Sequence, residues 1–234
     1  MKIFAISDLH LSFNADKPMD VFGGKWEGYT QKIKDNWIKK VNQEDIVLIA
    51  GDISWAMKLD EVGQDLDWIN NLPGTKIMIK GNHEYWWKSI SSVREILPES
   101  IRAIQNDAIK IGKYIICGTR GWTVAEKDKE LPPEDLKIYK REVERLKLTL
   151  MSAKTLRQEG DKIIAMIHYP PYNLDKEESD FTKLFEDYGV DKVVFGHLHG
   201  YVKCDLICEK NNVTYYFTSC DHINNDPVLI YDEN

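Results

Sequence analysis

Val193-Val194-Phe195-Gly196-His197-Leu198-His199-Gly200 is the stretch on which the reading of this chain turns. A short apolar run that gives way to glycine reads as a buried strand running out into a loop. In extended chain, residues two apart point the same way and lie roughly 6.5 Å apart, so His197 and His199 present two imidazoles to one point. That spacing suits a metal ion. A His-x-His pair alone is more often two loop histidines without a ligand role, so the other strand ends decide.

They repeat the pattern. Lys2-Ile3-Phe4-Ala5-Ile6-Ser7 is apolar and runs directly into Asp8-Leu9-His10. Ile46-Val47-Leu48-Ile49-Ala50, an unbroken β-prone run of the kind buried on both sheet faces, ends in Gly51-Asp52. Lys76-Ile77-Met78-Ile79-Lys80 ends in Gly81-Asn82-His83-Glu84, and Lys162 to Ile167 ends in His168. Helical spacing marks Thr30 to Val41, Leu59 to Asn70, Trp86 to Ile96 and Phe181 to Tyr188 as helices between these strands. Leu11 to Tyr29, punctuated by Pro18, Gly23, Gly24 and Gly28, reads as a long loop beside the first pair.

The runs Ile101 to Ile104, Ala108 to Ile111 and Tyr114 to Gly118 suggest neighbouring strands of a second sheet. Pro133 opens the longest helix, expected over about 133–160 with Gly160 closing it. Its stripe of Leu136, Tyr139, Val143, Leu146, Leu150 and Ala153 fits packing on the domain body, with a lid or a dimer seam as alternatives. Val213 to Thr218 and Val228 to Tyr231 read as closing strands. The alternation predicts a layered α/β domain, a single unit over 1–234, with a largely parallel sheet and ligands beyond the strands' carboxyl ends.

Composition narrows the function. A chain of 234 residues with 43% hydrophobic content can bury a sizeable core, and a formal charge of −7 disfavours a nucleic-acid track. No apolar run approaches a membrane span or a secretory core, so a cytoplasmic location is expected. Cys117, Cys204, Cys208 and Cys220 contain no Cys-x-x-Cys pair and are expected as reduced thiols, mostly buried.

Five of the six histidines, His10, His83, His168, His197 and His199, fall at strand ends. With Asp8, Asp52 and Asn82 they make a nitrogen and oxygen set too large for one tetrahedral ion, which implies two divalent ions. A carboxylate can bridge cations about 3.5–4 Å apart, and such a pair clamps the attacking and leaving oxygens of an in-line displacement while acidifying a bound water to supply hydroxide. Ligands without thiolate favour manganese, iron or zinc over copper.

In order, Asp8-x-His10, Gly51-Asp52, Gly81-Asn82-His83-Glu84, His168 and Gly196-His197-x-His199 resemble the five motifs of the calcineurin-like metallophosphoesterases, over most of the chain. The resemblance implies a four-layer α/β/β/α sandwich of two mixed sheets flanked by helices. It also implies that Asp8, His10 and His199 hold one metal, that Asn82, His168 and His197 hold the other, and that Asp52 bridges them. His83 would stay off the metals, near the leaving oxygen, as the catalytic group alongside Asp52; Asn82 and His83 would also meet substrate. The chain departs from the protein-phosphatase branch, because Ser54-Trp55-Ala56 stands where that branch has a second Asp and an Arg, which leaves open what orients His83. It also resembles the lipid-precursor pyrophosphatases around Ile6 to Leu11, yet that branch has Arg at the position of His83.

Arg120, in Gly118-Thr119-Arg120-Gly121-Trp122, sits at another expected strand end, where a phosphate contact and a structural role are about equally balanced. Trp26, Trp55, Trp86, Trp87 and Trp122 lie in loops on the same side; buried packing is expected ahead of stacking on a nucleobase. The reading is a phosphoester hydrolase acting on a small phosphodiester or phosphomonoester, nucleotides included, by direct attack of a metal-bound hydroxide. The rivals are a metal-binding scaffold of the same fold, like a retromer subunit, and a nuclease, which a basic groove beside the site would favour.

Overall fold

Alternation along the strands sorts the interior into three apolar layers. The structure, a computed structural model, describes residues 1–201 and 204–233. Its strands in chain order are β1 (Lys2–Ile6), β2 (Ile46–Ile49), β3 (Thr75–Met78), β4 (Ile101–Ala103), β5 (Asp107–Ile111), β6 (Tyr114–Thr119), β7 (Lys162–Ile167), β8 (Lys192–Phe195), β9 (Ile207–Lys210), β10 (Val213–Phe217) and β11 (Val228–Asp232). The helices are α1 (Tyr29–Lys40), α2 (Gly63–Asn70), α3 (Ile90–Ile96), α4 (Pro133–Leu156) and α5 (Asp180–Asp187). One sheet has the order β11-β1-β2-β3-β4 and the other β5-β6-β7-β8-β10-β9. Both are parallel at their centres, with antiparallel edges at β11, β5 and β9.

Ile3, Ala5, Ile46, Leu48, Ile116, Ile164, Met166 and Val194 point between the sheets. The intervening residues Phe4, Ile6, Val47 and Ile49 turn outward onto Ile33 and Trp37 of α1, Leu66 and Ile69 of α2 and Val93 of α3. On the far side, Ile115, Ala165, Val193 and Phe195 meet Leu146, Leu150 and Ala153 of α4 and Phe181 and Phe185 of α5. The two-residue period of a strand therefore gives each sheet two apolar faces, and both must be covered. The result is the expected four-layer α/β/β/α sandwich of two mixed sheets. Burying any one of these large side chains contributes about 1.5–3 kcal/mol.

The sheets are joined at their carboxyl ends. Ser7 forms a parallel bridge with Ser219, its N–H donating to Thr218 O at 2.9 Å, so β1 and β10 meet across the sandwich. Beyond β1 and β2 the ladder continues, with Asp8 N–H donating to Gly51 O and His10 N–H to Asp52 O, both at 2.9 Å. Asp8, His10 and Asp52 are thereby set side by side.

Four expectations are corrected. Ile101–Ala103 pairs with β3 in the first sheet, not with the second-sheet strands that follow it. The helix expected from Trp86 starts at Ile90, where the Ser89 hydroxyl caps it by accepting Ser92 N–H at 3.2 Å; Trp86 and Trp87 are instead buried in the preceding turn. The long helix ends at Leu156, short of Gly160. β9 was not expected; it pairs antiparallel with β10 across Asn211 and Asn212, both at positive φ. α4 packs on the second sheet through the lower part of its stripe, while Leu136 is exposed. Cys117 and Cys220 are buried free thiols, but Cys204 and Cys208 are only partly buried. No helix among the described residues is long and apolar enough to cross a membrane.

Candidate metal centre

Each candidate ligand stands just past a strand's carboxyl end, and the local backbone is bent to put it there. Asp8, His10, Asp52 and His197 all adopt positive φ, between 43° and 76°. That region costs a residue with a Cβ on the order of 1–3 kcal/mol and persists where surrounding structure imposes it, commonly at functional sites. Two glycines let the segments close up. A Cβ on Gly51, itself at φ +93°, would lie 2.6 Å from His168 Nδ1, and one on Gly196 would lie 2.2 Å from Asp8 Oδ2.

Two clusters result. Asp8, His10 and His199 form one, Asp52, His168 and His197 the other, and in each the ligand-type atoms lie within 4.8 Å of one another. Asn82 joins the second: its Oδ1 is 2.8 Å from His168 Nε2 and 2.9 Å from His197 Nδ1. Asp52 Oδ2 lies between them, 3.3 Å from His168 Nε2 and 3.8 Å from His10 Nε2. The structure thus brings together all seven residues expected as ligands.

The outer partners aim the ligands. His168 Nδ1–H donates to Ala50 O at 2.9 Å, and since a carbonyl only accepts, it is Nε2 that turns its lone pair to the cluster once the ring gives up its second proton. His199 Nδ1–H likewise donates to Asp221 Oδ1 at 3.0 Å, leaving Nε2 3.4 Å from Asp8 Oδ1. Asp8 accepts the Ser7 and Ser219 hydroxyls at 2.5 and 2.9 Å and the backbone N–H of His197 at 3.0 Å. Glu84, 1% exposed, accepts N–H groups from Gly81 and Ile53 at 2.5 Å, Asp52 at 3.0 Å and Ser54 at 3.4 Å, tying the Asp52 and Asn82 loops together. Burial and the Asp52 charge push its carboxyl up to about 7 against these donors.

The electrostatics fit cations. Asp8 and Asp52 are 0% and 1% exposed, and removing two carboxylates from water without compensating charge is prohibitive. With protein groups alone, protons supply that charge. Burial disfavours a charged His168 and His199, but Asp52 raises the first to about 9, and Asp221 with Asp8 raises the second to about 10. Burial also raises Asp8, but His199 and His168 outweigh it and hold the carboxyl down at about 2. Burial pushes His10 and His197 down to about 4, so both offer lone pairs. Nε2 of His10 and of His199 stand only 3.2 Å apart, and His10 Nδ1 is buried without a partner. Carboxylate, imidazole and amide atoms this crowded, with lone pairs facing inward, match what divalent ions require.

His83 belongs to neither cluster. Its backbone N–H donates to Asp52 Oδ1 at 2.9 Å, its Nε2 is 3.9 Å from Asp52 Oδ2, and about a third of its side chain is exposed. Trp55 lies against it with ring centroids 4.4 Å apart and stacks on His10 at 4.9 Å, so one indole packs against both imidazoles. Trp26 packs edge-on against His10 and His199.

Arg120 is held from α4. Its Nη2 donates to Glu142 Oε1 of α4 at 3.2 Å and its guanidinium covers Trp122, two aromatic rings away from His197. Asp221, Glu84, Ser7 and Trp55 were not expected as site residues. Asp221 does follow the same rule, an acid beyond the carboxyl end of a strand, here β10.

Residues 1–201 match the family model for calcineurin-like phosphoesterases. No curated protein matches the chain. Among solved structures, a protein of unknown function from Aquifex aeolicus aligns at 16% identity and TM-score 0.53, covering 97% of this chain and 95% of that one. The phosphopantetheinyl hydrolase of Mycobacterium tuberculosis aligns at 13% and 0.57, covering 99% and 96%. TT1561 of Thermus thermophilus aligns at 11% and 0.58, covering 97% of each chain. At these identities the likeness is one of fold; the family rests on the sequence match and on the motifs that build the two clusters. The chain belongs to the calcineurin-like phosphoesterase family, whose members carry out metal-dependent hydrolysis of phosphoesters.

Proposed function

We propose that this chain hydrolyses a small phosphodiester or phosphomonoester at a centre of two divalent ions, manganese, iron or zinc. Asp8, His10 and His199 hold one ion, Asn82, His168 and His197 the other, and Asp52 is shared. The observation that carries this reading is the position of Asp52 Oδ2, within 3.8 Å of nitrogens of both clusters. Bound there, the ions supply Lewis acidity to the phosphoryl group and lower the pKa of a water molecule.

The chain's own groups do the rest. His83 reaches the rim from the Asp52 side, where its imidazole can hydrogen bond to or protonate the departing oxygen as the bond to phosphorus breaks. Trp55 fixes the ring and keeps water from one of its faces. Two cavities flank the centre. One of about 120 Å³ runs from His197 past Tyr169, Tyr172 and Leu198; the other, about 570 Å³, runs from His199 past Trp26, Phe22 and Lys25. Both suit substituents of a small ester better than a duplex.

Hydrolysis of paired model diester and monoester substrates by metal-reconstituted protein, extended to cyclic and linear nucleotides, tests the proposal. Turnover is expected, and His83→Ala should retain metal and lose about two to four powers of ten in rate. A fully loaded protein that hydrolyses none of these favours the scaffold reading. Loss of the metals from His83→Ala rejects the role given to that residue.

A further inference from the structure

A separate, polar cavity, of about 200 Å³, opens where the carboxyl ends of β3, β4 and β6 meet α4. Lys80, Lys88, Arg120, Arg141 and Arg145 line it, and Glu142 is the one acid among its lining residues. Five cations against one carboxylate is a local excess of opposite sign to the chain's net −7.

Glu142 does not neutralise it. Only Oε1 is engaged, at 2.7 Å from Arg145 Nη1, 3.2 Å from Arg120 Nη2 and 3.7 Å from Arg141 Nε. Arg120 Nε is buried with no hydrogen-bond partner, a donor with its capacity unused. Neutral donors point the same way. Trp87 Nε1–H donates to Gln105 Oε1 at 2.7 Å and the Thr119 hydroxyl to Asn106 Oδ1 at 2.8 Å, so both carboxamides keep their NH₂ groups for the cavity they line.

We propose that this cavity is an anion site, separate from the metal centre, in which Arg120, Arg141, Lys88 and the Gln105 and Asn106 amides bind a tetrahedral oxyanion, as free phosphate or as the terminal phosphoryl group of a larger ligand. Planar guanidinium forks and amide donors with almost no apolar lining match the oxygen shell of such an ion, and several charge-assisted hydrogen bonds would replace water at once. Arg120 meets phosphate chemistry here and not at the metals. The site does not depend on hydrolysis elsewhere in the molecule.

The test is a titration of zinc-loaded, full-length protein with sodium sulfate at constant ionic strength, followed residue by residue through backbone and side-chain amide NMR shifts. Saturable shifts are expected at Gln105, Asn106, Thr119 and Arg120. They should weaken about tenfold in affinity in the Lys88→Ala, Arg141→Ala double variant, which removes two exposed cations and leaves the Arg120–Glu142–Arg145 pairs in place. Methylphosphonate is the second arm: binding equal to sulfate marks recognition of a terminal phosphoryl group, and weaker binding marks the free ion. Shifts that never saturate, that saturate equally in the double variant, or that appear only around Asp52 and His197 would overturn the proposal. So would a single-stranded oligonucleotide that binds more tightly than sulfate through the same residues.

Discussion

Replacing Glu84 by glutamine tests how the metal-bearing loops are held. The carboxylate accepts two pairs of backbone donors, Ile53 and Ser54 on Oε1 and Asp52 and Gly81 on Oε2. Glutamine is nearly isosteric but keeps one oxygen, so one pair remains satisfied and the other faces an NH₂ group. Orphaning a buried donor costs about 1–3 kcal/mol, which gives about 2–6 kcal/mol for two. The uncharged side chain also escapes the burial and Asp52 repulsion that push Glu84 up to about 7, a gain that shrinks once cations sit across Asp52. The comparison therefore belongs on metal-loaded protein. For a chain of this size each kcal/mol moves Tm by about 2–4 °C, so a fall of about 5–20 °C is expected by calorimetry. Metal affinity should fall with it, because Asp52 and Asn82 sit on the two loops that Glu84 ties. A glutamine variant within 2 °C of wild type with unchanged metal affinity would refute the clamp (a threshold of about one kcal/mol).

Asp52→Ala should release metal, as read by elemental analysis after desalting, and a fully loaded, active variant would contradict the shared-ligand role. Trp55→Ala should keep the metals but lower kcat about 10- to 100-fold as His83 loses its packing partner; an unchanged kcat would leave His83 positioned by something else. His168 and His199, raised to about 9 and about 10, carry protons at pH 7 before metal arrives, and each ion must displace one. Calorimetry in buffers of different ionisation enthalpy should therefore show about one proton released per ion, with affinity falling as pH falls from about 8 to 6.5. Affinity independent of pH over that range would refute the protonated state of these two rings.

The elements with strong local signals were readable from the chain. Ile46–Ile49 is apolar at every position because both faces of β2 are buried, and each ligand lies at the end of such a run. What escaped depends on distance in space. Glu84 lies in a legible motif, but nothing local says that it reaches four N–H groups on two loops. Asp221 matters because His199 arrives beside it, 22 residues away in the chain. Trp55 was visible as a loop aromatic, yet its stacking on His10 and His83 follows from the pairing of the β1 and β2 extensions. Arg120 was placed correctly at a strand end, but its partner Glu142 comes from α4. β9 does have a local signal: consecutive asparagines at 211–212 favour the left-handed turn of a tight hairpin. The positive φ of Asp8, His10, Asp52 and His197 carries no glycine to announce it.

The claim beneath all of this is a pair of cations sharing Asp52. Anomalous diffraction from crystals of manganese-loaded protein, collected above and below the metal edge, addresses it directly. The account predicts two peaks per chain, one against Asp8, His10 and His199 and one against Asn82, His168 and His197, with Asp52 reaching both. One peak alone at saturating metal, or two peaks with Asp52 bound to neither, would contradict it.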